Sequence, residues 1–141
     1  MKQVNRKGFT LIELLVVIAI IGVLSTLAVV ALGSARTKAR DAKRVADIRQ
    51  IMSALELYYN DANRYPAALT AGQAISTNGV TYMNSVPANP TPVDSGCESY
   101  PNYTYSTPAN GSTFTITYCL GGQVGDIGKG VRTASQNGLT Q

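Results

Sequence analysis

The sequence predicts an α+β protein in which a long N-terminal α-helix, with a transmembrane half and an amphipathic half, packs on a small C-terminal antiparallel β-sheet head. Three observations support this fold class. Residues 14–35 carry no charge, apolar residues recur at spacings of three and four through residues 45–59, and residues 103–106 and 113–120 alternate apolar residues with threonine. A chain of 141 residues has room for one modest domain beyond the apolar N-terminus.

The apolar segment is long enough to cross a membrane. Its 22 uncharged residues would form a helix of roughly 33 Å, against a hydrocarbon core of about 30 Å. The run exceeds the apolar core of a secretory signal peptide, and the helical pattern continues beyond it. Lys2, Arg6 and Lys7 favour a cytoplasmic N-terminus, although the cations after the segment weigh the other way. Because a cysteine-bearing head follows, we predict a single pass with the head outside the cytoplasm.

Glu13 is the only charged residue between Lys7 and Arg36. A carboxylate near the start of an apolar membrane helix is costly unless something compensates its charge. One interpretation is that the Glu13 side chain reaches the cytoplasmic lipid headgroups. The other is that a positive group of another molecule neutralises it.

The motif KGFTLIE at residues 7–13 closely resembles the processing signal of type IV pilins and type II secretion pseudopilins. The resemblance covers about residues 5–35 and continues more loosely to Pro66. It implies a pilin-like fold and cleavage by prepilin peptidase, a membrane aspartyl peptidase, between Gly8 and Phe9. Residues 1–8 would then be a cleaved basic leader, and the new amine of Phe9 would be methylated.

The resemblance also implies how Glu13 is compensated. Cleavage would leave a cationic amine on Phe9, and Glu13 of a neighbouring, staggered subunit would neutralise it, because two buried opposite charges cost less as a pair than singly. The implied function is a structural subunit of a pilus-like or pseudopilus filament. Implied partners are copies of itself or homologous subunits, prepilin peptidase, a membrane assembly platform and membrane lipid. The chain would first span the bacterial cytoplasmic membrane and then join a periplasmic or extracellular filament.

Residues 9–35 are predicted to form the transmembrane and assembly half of the long helix, and residues 36–60 to continue it as its amphipathic half. Val45, Ile48, Met52, Leu55 and Tyr59 define one apolar face. The polar residues of this stretch are assigned to the other faces of the helix: Lys43, Arg44, Asp47, Gln50 and Ser53. Asp47 is expected to form ion pairs with Lys43 and with Arg44. The helix should end within the NDANRYP sequence of residues 60–66.

Six cations crowd the start of this half, at positions 36, 38, 40, 43, 44 and 49. The preferred interpretation is a solvated helix face just outside the membrane. The alternatives are contact with anionic lipid headgroups, pairing with acidic groups of neighbouring subunits, or weak binding of nucleic acid by an assembled filament.

Residues 61–141 are predicted to form a loop-rich β head. After a segment of loop character with a short helix at 67–74, strands are expected at 103–106 and 113–120, joined into an antiparallel hairpin by the PANGS turn. A third strand is expected at 130–134, after the glycine-rich residues 121–130.

Cys97 and Cys119 are the only cysteines. In an exported head they are expected to form a disulfide, whereas a cytosolic domain would keep them as free thiols. Related pseudopilins bind calcium in a loop near the C-terminus, and Asp126 is the only acidic residue after Glu98, so it is the one candidate ligand here. The preferred interpretation is a plain flexible loop and no cofactor.

No catalytic constellation is present in the sequence, which has no histidine and no CxxC pair. We therefore predict that the protein is not an enzyme. The alternative function is a single-pass, membrane-anchored binding module for calcium, sugar or peptide that acts as a monomer. Within the resembled family, the Tyr65-Pro66 pair, valine at position 30 and the short head favour a pseudopilin, whereas a disulfide near the C-terminus is more usual in pilins.

Overall fold

The computed structural model describes residues 8–140, and residues 1–7 and Gln141 lie outside the described part. Helix α1 spans Leu11–Ala62. Six strands follow it: β1 (Ile75–Thr77), β2 (Val80–Met83), β3 (Thr104–Ser106), β4 (Thr115–Leu120), β5 (Gly130–Ser135) and β6 (Gly138–Leu139). The chain divides into two compact units, Met1–Ala35 and Arg36–Gln141, and each is described by itself. The predicted α+β class is confirmed.

The first unit contributes the apolar part of α1. Its large apolar side chains from Leu11 to Leu32 are all about half exposed or more. Its most apolar window has a mean hydropathy of 3.0 and buries no residue within the protein, so this part of α1 is long and apolar enough to cross a membrane. Side chains of this kind need lipid or another protein chain to cover them.

The second unit is built on a four-stranded antiparallel sheet in the order β3-β4-β5-β6. Ile116, Tyr118 and Leu120 alternate along β4 and are buried, because every second side chain of a strand points to the same face. Ile48 and Leu55 of α1 belong to the same core and are fully buried. The apolar face that the spacing of residues 45–59 predicts therefore packs in the core of the head.

The predicted hairpin is present. β3 pairs with β4 with Tyr105 opposite Ile116, and the connecting turn contains Gly111 with a φ of 63°. A Cβ at Gly111 would lie 2.9 Å from the Cβ of Arg64 and 3.0 Å from the carbonyl oxygen of Tyr65, so only glycine fits. The predicted third strand corresponds to β5, and β6 extends the sheet by one short strand.

The short helix predicted at residues 67–74 is wrong. A turn occupies residues 71–73, and the chain then forms the separate β1–β2 hairpin. Asn78 and Gly79, with φ of 51° and 80°, make its two-residue turn, which is a strong hairpin signal. Ile75 is buried and attaches this hairpin to the core.

The end of α1 lies close to its predicted position. The helix ends at Ala62 and is capped by Asn63, which has a φ of 53° and donates its N–H to the carbonyl of Tyr59 at 2.8 Å. A left-handed residue at this position is a common helix stop, and asparagine tolerates it.

The interpretation of the basic stretch as a solvated face is wrong for Arg44, and Asp47, which the sequence pattern assigns to a face away from the apolar one, is buried as well. Arg44 and Asp41 are fully buried, and Asp47 is 5% exposed. Lys43 pairs with Asp47 as predicted, but Arg44 pairs with Asp41 and Asp94 instead of Asp47. The physical reason is that a distant acidic residue, Asp94, supplies a buried counter-charge.

Candidate functional site

The predicted processing site precedes α1. Gly8 and Phe9 are exposed and lie outside the helix. A Cβ added to Gly8 would meet no atom within 4 Å. The backbone at this bond is therefore open to an endopeptidase, and any requirement for glycine at position 8 comes from the enzyme rather than from this chain. The cations Lys2, Arg6 and Lys7 of the predicted leader lie outside the described residues.

Thr10 and Glu13 form a reciprocal capping box at the start of α1. The carboxylate atom Oε2 of Glu13 accepts hydrogen bonds from the Thr10 N–H at 2.8 Å and from the Thr10 hydroxyl at 2.6 Å. In return, the Glu13 N–H donates to the Thr10 hydroxyl at 3.3 Å. This arrangement satisfies backbone groups that a helix start would otherwise leave unpaired. Sequence reasoning missed it, although T-x-x-E is its signature.

Both hydrogen bonds to the Glu13 side chain use the same oxygen, Oε2. Among residues 8–140, no hydrogen bond to the other oxygen, Oε1, is formed. Glu13 also borders a shallow depression of about 400 Å³, together with Phe9, Ile12, Val16 and Val17. A carboxylate oxygen beside an apolar depression can accept a hydrogen bond from a positive group carried by an apolar partner.

The head contains a buried group of charges around Arg44, and we call Arg40, Asp41, Arg44 and Asp94 the ion cluster. The Arg44 guanidinium donates to Asp41 Oδ1 at 2.6 Å and to Asp94 Oδ2. It also donates to Asn89 Oδ1 at 2.7 Å and to the carbonyl oxygen of Pro90 at 3.1 Å. Four oxygens therefore surround one buried cation, which is how a buried charge becomes tolerable.

The two carboxylates of the ion cluster have further donors. Asp41 accepts the N–H of Gly121 at 3.1 Å and that of Gly122 at 2.8 Å. Asp94 accepts hydrogen bonds from Arg40 and from the Thr37 hydroxyl. The ion cluster thereby attaches two distant segments, residues 89–94 and 121–122, to one stretch of α1.

The ionisation of Asp94 reflects these contacts. Burial alone would raise the pKa of its carboxyl, but the hydrogen bonds and positive charges of Arg40 and Arg44 lower the pKa to about 2, from the usual 3.8. Asp94 is therefore charged at any pH that the head meets under ordinary conditions.

Acid is expected to weaken the head through Asp94. Since its folded pKa lies below its unfolded value, the stabilisation is complete above about pH 4 and is lost as the pH falls towards 2, and it amounts to about 2 kcal/mol. Urea unfolding of the wild type and of Asp94→Asn at pH 7 and pH 2.5 measures it. We expect a clear difference at pH 7 that shrinks at pH 2.5, and equal differences at both values would contradict this assignment.

The predicted disulfide between Cys97 and Cys119 is confirmed, with a Cα–Cα distance of 5.6 Å. It ties the segment that follows Asp94 to strand β4. Closing a loop of this length stabilises a fold by roughly 3 kcal/mol on the chain-entropy model.

The other cations of the basic stretch remain at the surface. Arg36, Lys38 and Arg49 are exposed, and none of them has an ion-pair partner within residues 8–140. Lys43 pairs with Asp47 at 3.1 Å while its own side chain is 58% exposed. The interpretation as a solvated face therefore holds for Arg36, Lys38, Lys43 and Arg49. Arg40 and Arg44 belong to the ion cluster instead.

Asp126 lies exposed in the turn closed by the Val124–Ile127 bridge. In the described part of the chain, no three His, Cys, Asp or Glu side chains form a group that could hold a metal ion. Calcium prefers six to eight oxygen ligands, and one carboxylate in a turn does not match that set. Calcium binding by Asp126 stays an untested alternative to the predicted plain loop.

Comparison with known proteins gives a consistent family. Residues 4–33 match the model of the prokaryotic N-terminal methylation motif. The chain is 30% identical over 150 residues to type II secretion system core protein G of Vibrio cholerae serotype O1, with 97% of each chain covered. It is 44% identical over 73 residues to the core protein G of Pectobacterium carotovorum subsp. carotovorum, covering 52% of this chain and 47% of that one.

Another relative is the fimbrial protein EcpC of Eikenella corrodens, 44% identical over 89 residues, with 61% of this chain and 56% of that protein covered. The chain thus spans about half the length of several curated relatives that it matches, and the Vibrio protein is matched over nearly its whole length. No solved structure matches significantly. Because a relative at this level of identity is covered almost completely, the chain belongs to the type IV pilin and type II secretion pseudopilin family.

Proposed function

We propose that this protein is a structural subunit of a type II secretion pseudopilus or a related type IV pilus-like filament. The observation that carries the proposal is the apolar part of α1, in which every large apolar side chain is exposed and Glu13 is the only charge among residues 8–35. A surface of this kind is stable in lipid or packed against equivalent helices, and not in water. The full-length similarity to a type II secretion core protein G favours the pseudopilus.

Processing would occur at the Gly8–Phe9 bond, carried out by prepilin peptidase at the cytoplasmic face of the membrane. The match to the methylation motif at residues 4–33 and the open, non-helical backbone at Gly8 support this step. The first helical residue is Leu11, so the cut leaves the Thr10–Glu13 capping box intact in the mature chain. The new amine on Phe9 would then be methylated.

Assembly would pair the Phe9 amine of one subunit with Glu13 of a neighbour. The capping box uses only Oε2 of Glu13, so Oε1 can accept a hydrogen bond from the amine without breaking the helix cap. The depression beside Glu13 has apolar walls, which suits an amine carried by a phenylalanine. Two opposite charges that are buried as a pair cost less free energy than either charge buried alone among apolar helices or lipid.

Before assembly the chain would span the cytoplasmic membrane once, with its N-terminus in the cytoplasm. The Cys97–Cys119 disulfide supports a head on the oxidising side. A membrane assembly platform would transfer the subunit to a periplasmic or extracellular filament. Repeated along that filament, the exposed cations Arg36, Lys38 and Arg49 would contact anionic lipid or bind nucleic acid weakly.

The alternative, a monomeric binding module, has one feature in its favour. A groove of about 320 Å³ in the head is lined in part by Asn89, Asn102, Tyr103 and Tyr105. However, three of these side chains already use their polar atoms inside the protein: Asn89 bonds to Arg44 and Pro101, Tyr103 to Asp47, and Tyr105 to the Pro66 carbonyl. The groove therefore offers few free polar groups to a ligand, which favours the structural function.

N-terminal mass analysis separates these two functions. After coexpression with a prepilin peptidase, the proposed subunit should begin at methylated Phe9, whereas a monomeric anchor would keep Met1. A chain that keeps its first eight residues under these conditions would overturn the proposal.

Replacement of Gly8 by leucine should block this processing. The chain itself has room for the side chain, so the membrane helix and the head should be unaffected and only cleavage should fail, by about 10-fold or more, through a clash in the peptidase cleft. Immunoblotting of the precursor and the mature form measures the effect. Gly22→Ala is the matched control, since Gly22 is another open glycine of the same unit, and it should be processed normally. Normal cleavage of Gly8→Leu would contradict the proposed cleavage site.

A further inference from the structure

The ion cluster and the disulfide join the same two segments of the head. Asp94 lies three residues before Cys97, and Gly121 lies two residues after Cys119. Asp94 is bound by Arg40 and Arg44, and the Gly121 N–H is bound by Asp41. Non-covalent contacts with one stretch of α1 therefore position Asp94, which is close to Cys97, and Gly121, which is close to Cys119.

The two segments also touch each other directly. A Cβ on Gly121 would lie 2.5 Å from the Cβ of Asp94, so the absence of a side chain at position 121 permits this close approach. The Cys97 N–H donates to the Asp94 carbonyl at 3.0 Å, which sets Cys97 relative to Asp94. Cys119 is fixed in β4 opposite Val131.

We infer that the ion cluster is a template for the disulfide: it holds the Cys97 and Cys119 thiols together in the folded, reduced head, so that the bond forms from a preorganised pair. Two cysteines joined by a flexible loop have an effective concentration of only about millimolar. When the fold holds both cysteines in place, their effective concentration rises, because the entropy cost of bringing them together has already been met by folding. Arg40, Asp41, Arg44 and Asp94 are positioning residues for this reaction.

The reaction needs a disulfide oxidant, such as glutathione disulfide or a protein dithiol–disulfide partner. One cysteine thiolate attacks the oxidant, forming a mixed disulfide and releasing one thiol. The second cysteine then attacks the mixed disulfide, closing the Cys97–Cys119 bond and releasing the second thiol. Two electrons pass to the oxidant, and two protons leave the cysteines.

The thermodynamic coupling between the ion cluster and the disulfide is reciprocal. If the ion cluster raises the equilibrium constant for disulfide formation, the disulfide must stabilise the ion cluster by the same factor. The inference also requires that the reduced head is already folded, so that a subunit exposed to reductant loses the bond without losing its structure. It concerns the head alone and does not depend on filament assembly.

The test measures the effective concentration of the two thiols. The full chain in detergent micelles is equilibrated in glutathione redox buffers, and the oxidised fraction is counted by thiol alkylation and mass spectrometry. Asp94→Asn removes a charge from the ion cluster, and Gly121→Ala forces the two segments apart. Both variants should lower the effective concentration at least about 10-fold.

Two controls separate templating from general stability. Lys43→Gln removes an ion pair of the same helix that is exposed on its lysine side. Ile75→Ala removes buried apolar contacts that attach the β1–β2 hairpin to the core, and among residues 8–140 no hydrogen bond or ion pair joins this hairpin to the ion cluster. Both variants should retain the wild-type value. In concentrated guanidinium chloride all variants should become equal. The inference is overturned if Gly121→Ala matches the wild type, or if Ile75→Ala lowers the value as much as Asp94→Asn does.

A second measurement covers the case in which Asp94→Asn does not fold. The double variant Cys97→Ser, Cys119→Ser should keep the circular dichroism spectrum of the wild type at pH 7 and unfold in one transition in urea. A head that is unfolded without its disulfide would overturn the inference, because no template would then exist before oxidation.

Discussion

Replacing Glu13 with glutamine is expected to abolish filament assembly while leaving cleavage at Gly8–Phe9 intact. Glutamine still forms a capping box with Thr10, so the helix start should be preserved. It cannot neutralise the Phe9 amine of a neighbour, and an unpaired charge within packed apolar helices costs several kcal/mol. Cells that carry the assembly platform should therefore yield at least about 100-fold less sheared filament, as measured by immunoblotting.

Thr10→Ala is the complementary variant. It removes the hydroxyl that bonds to Glu13 but keeps the carboxylate charge. Loss of a helix cap costs only about 1 kcal/mol, so most of the assembly should remain. Efficient assembly of Glu13→Gln, or an equal loss in both variants, would show that Glu13 acts as a helix cap rather than as a charge partner.

Replacing Arg44 with leucine is expected to be the most damaging single change in the head. Arg44 is fully buried and binds both Asp41 and Asp94. Without it, two buried carboxylates lose their shared cation, and removing one partner of a buried pair costs about 3–5 kcal/mol. Urea unfolding at pH 7 measures the loss, and a fall of less than 1 kcal/mol would contradict the structural importance of the ion cluster.

Lys43→Gln is the matched control for Arg44. Lys43 lies next to Arg44 on the same helix, but its ion pair with Asp47 is exposed on the lysine side, and such pairs contribute about 0–1 kcal/mol. A double-mutant cycle of Arg44→Leu with Asp94→Asn should be strongly non-additive, because both changes remove the same interaction.

Local patterns in the sequence were sufficient for the main elements. The spacing of Val45, Ile48 and Leu55 placed one helix face in the core, and the alternation around Ile116 gave the β3–β4 hairpin. The disulfide followed from two cysteines and an expected export route. The helix and the hairpin are predictable because their patterns involve residues close together in the chain. The disulfide is predictable because the sequence contains only two cysteines.

Two further elements have local signals in the sequence that the predictions above do not include. Asn78-Gly79 is a strong hairpin turn signal, and β1 and β2 flank it, although the proline and glycine residues of this segment favour a loop. The T-x-x-E pattern of Thr10 and Glu13 is a capping-box signature. The same two residues belong to the processing motif, and in the structure they also cap α1.

The burial of Arg44 could not be predicted from local pattern. Its counter-charge, Asp94, lies 50 residues away, and a run of cations on a predicted helix is usually a solvated face. Only the fold shows that Asp41 and the Gly121 and Gly122 amides also converge on this point. Long-range electrostatic pairing of this kind has no short-range signature in a single sequence.

The central claim, that Glu13 of one subunit lies against the Phe9 amine of another, is tested most directly by zero-length cross-linking. Filaments assembled from a mixture of unlabelled and ¹⁵N-labelled subunits would be treated with a membrane-permeant carbodiimide, which joins a carboxylate to an amine in contact with it. Mass spectrometry of the N-terminal peptides should find Phe9–Glu13 links that combine one labelled and one unlabelled chain. Links found only within single chains, or none at all in intact filaments, would contradict the claim.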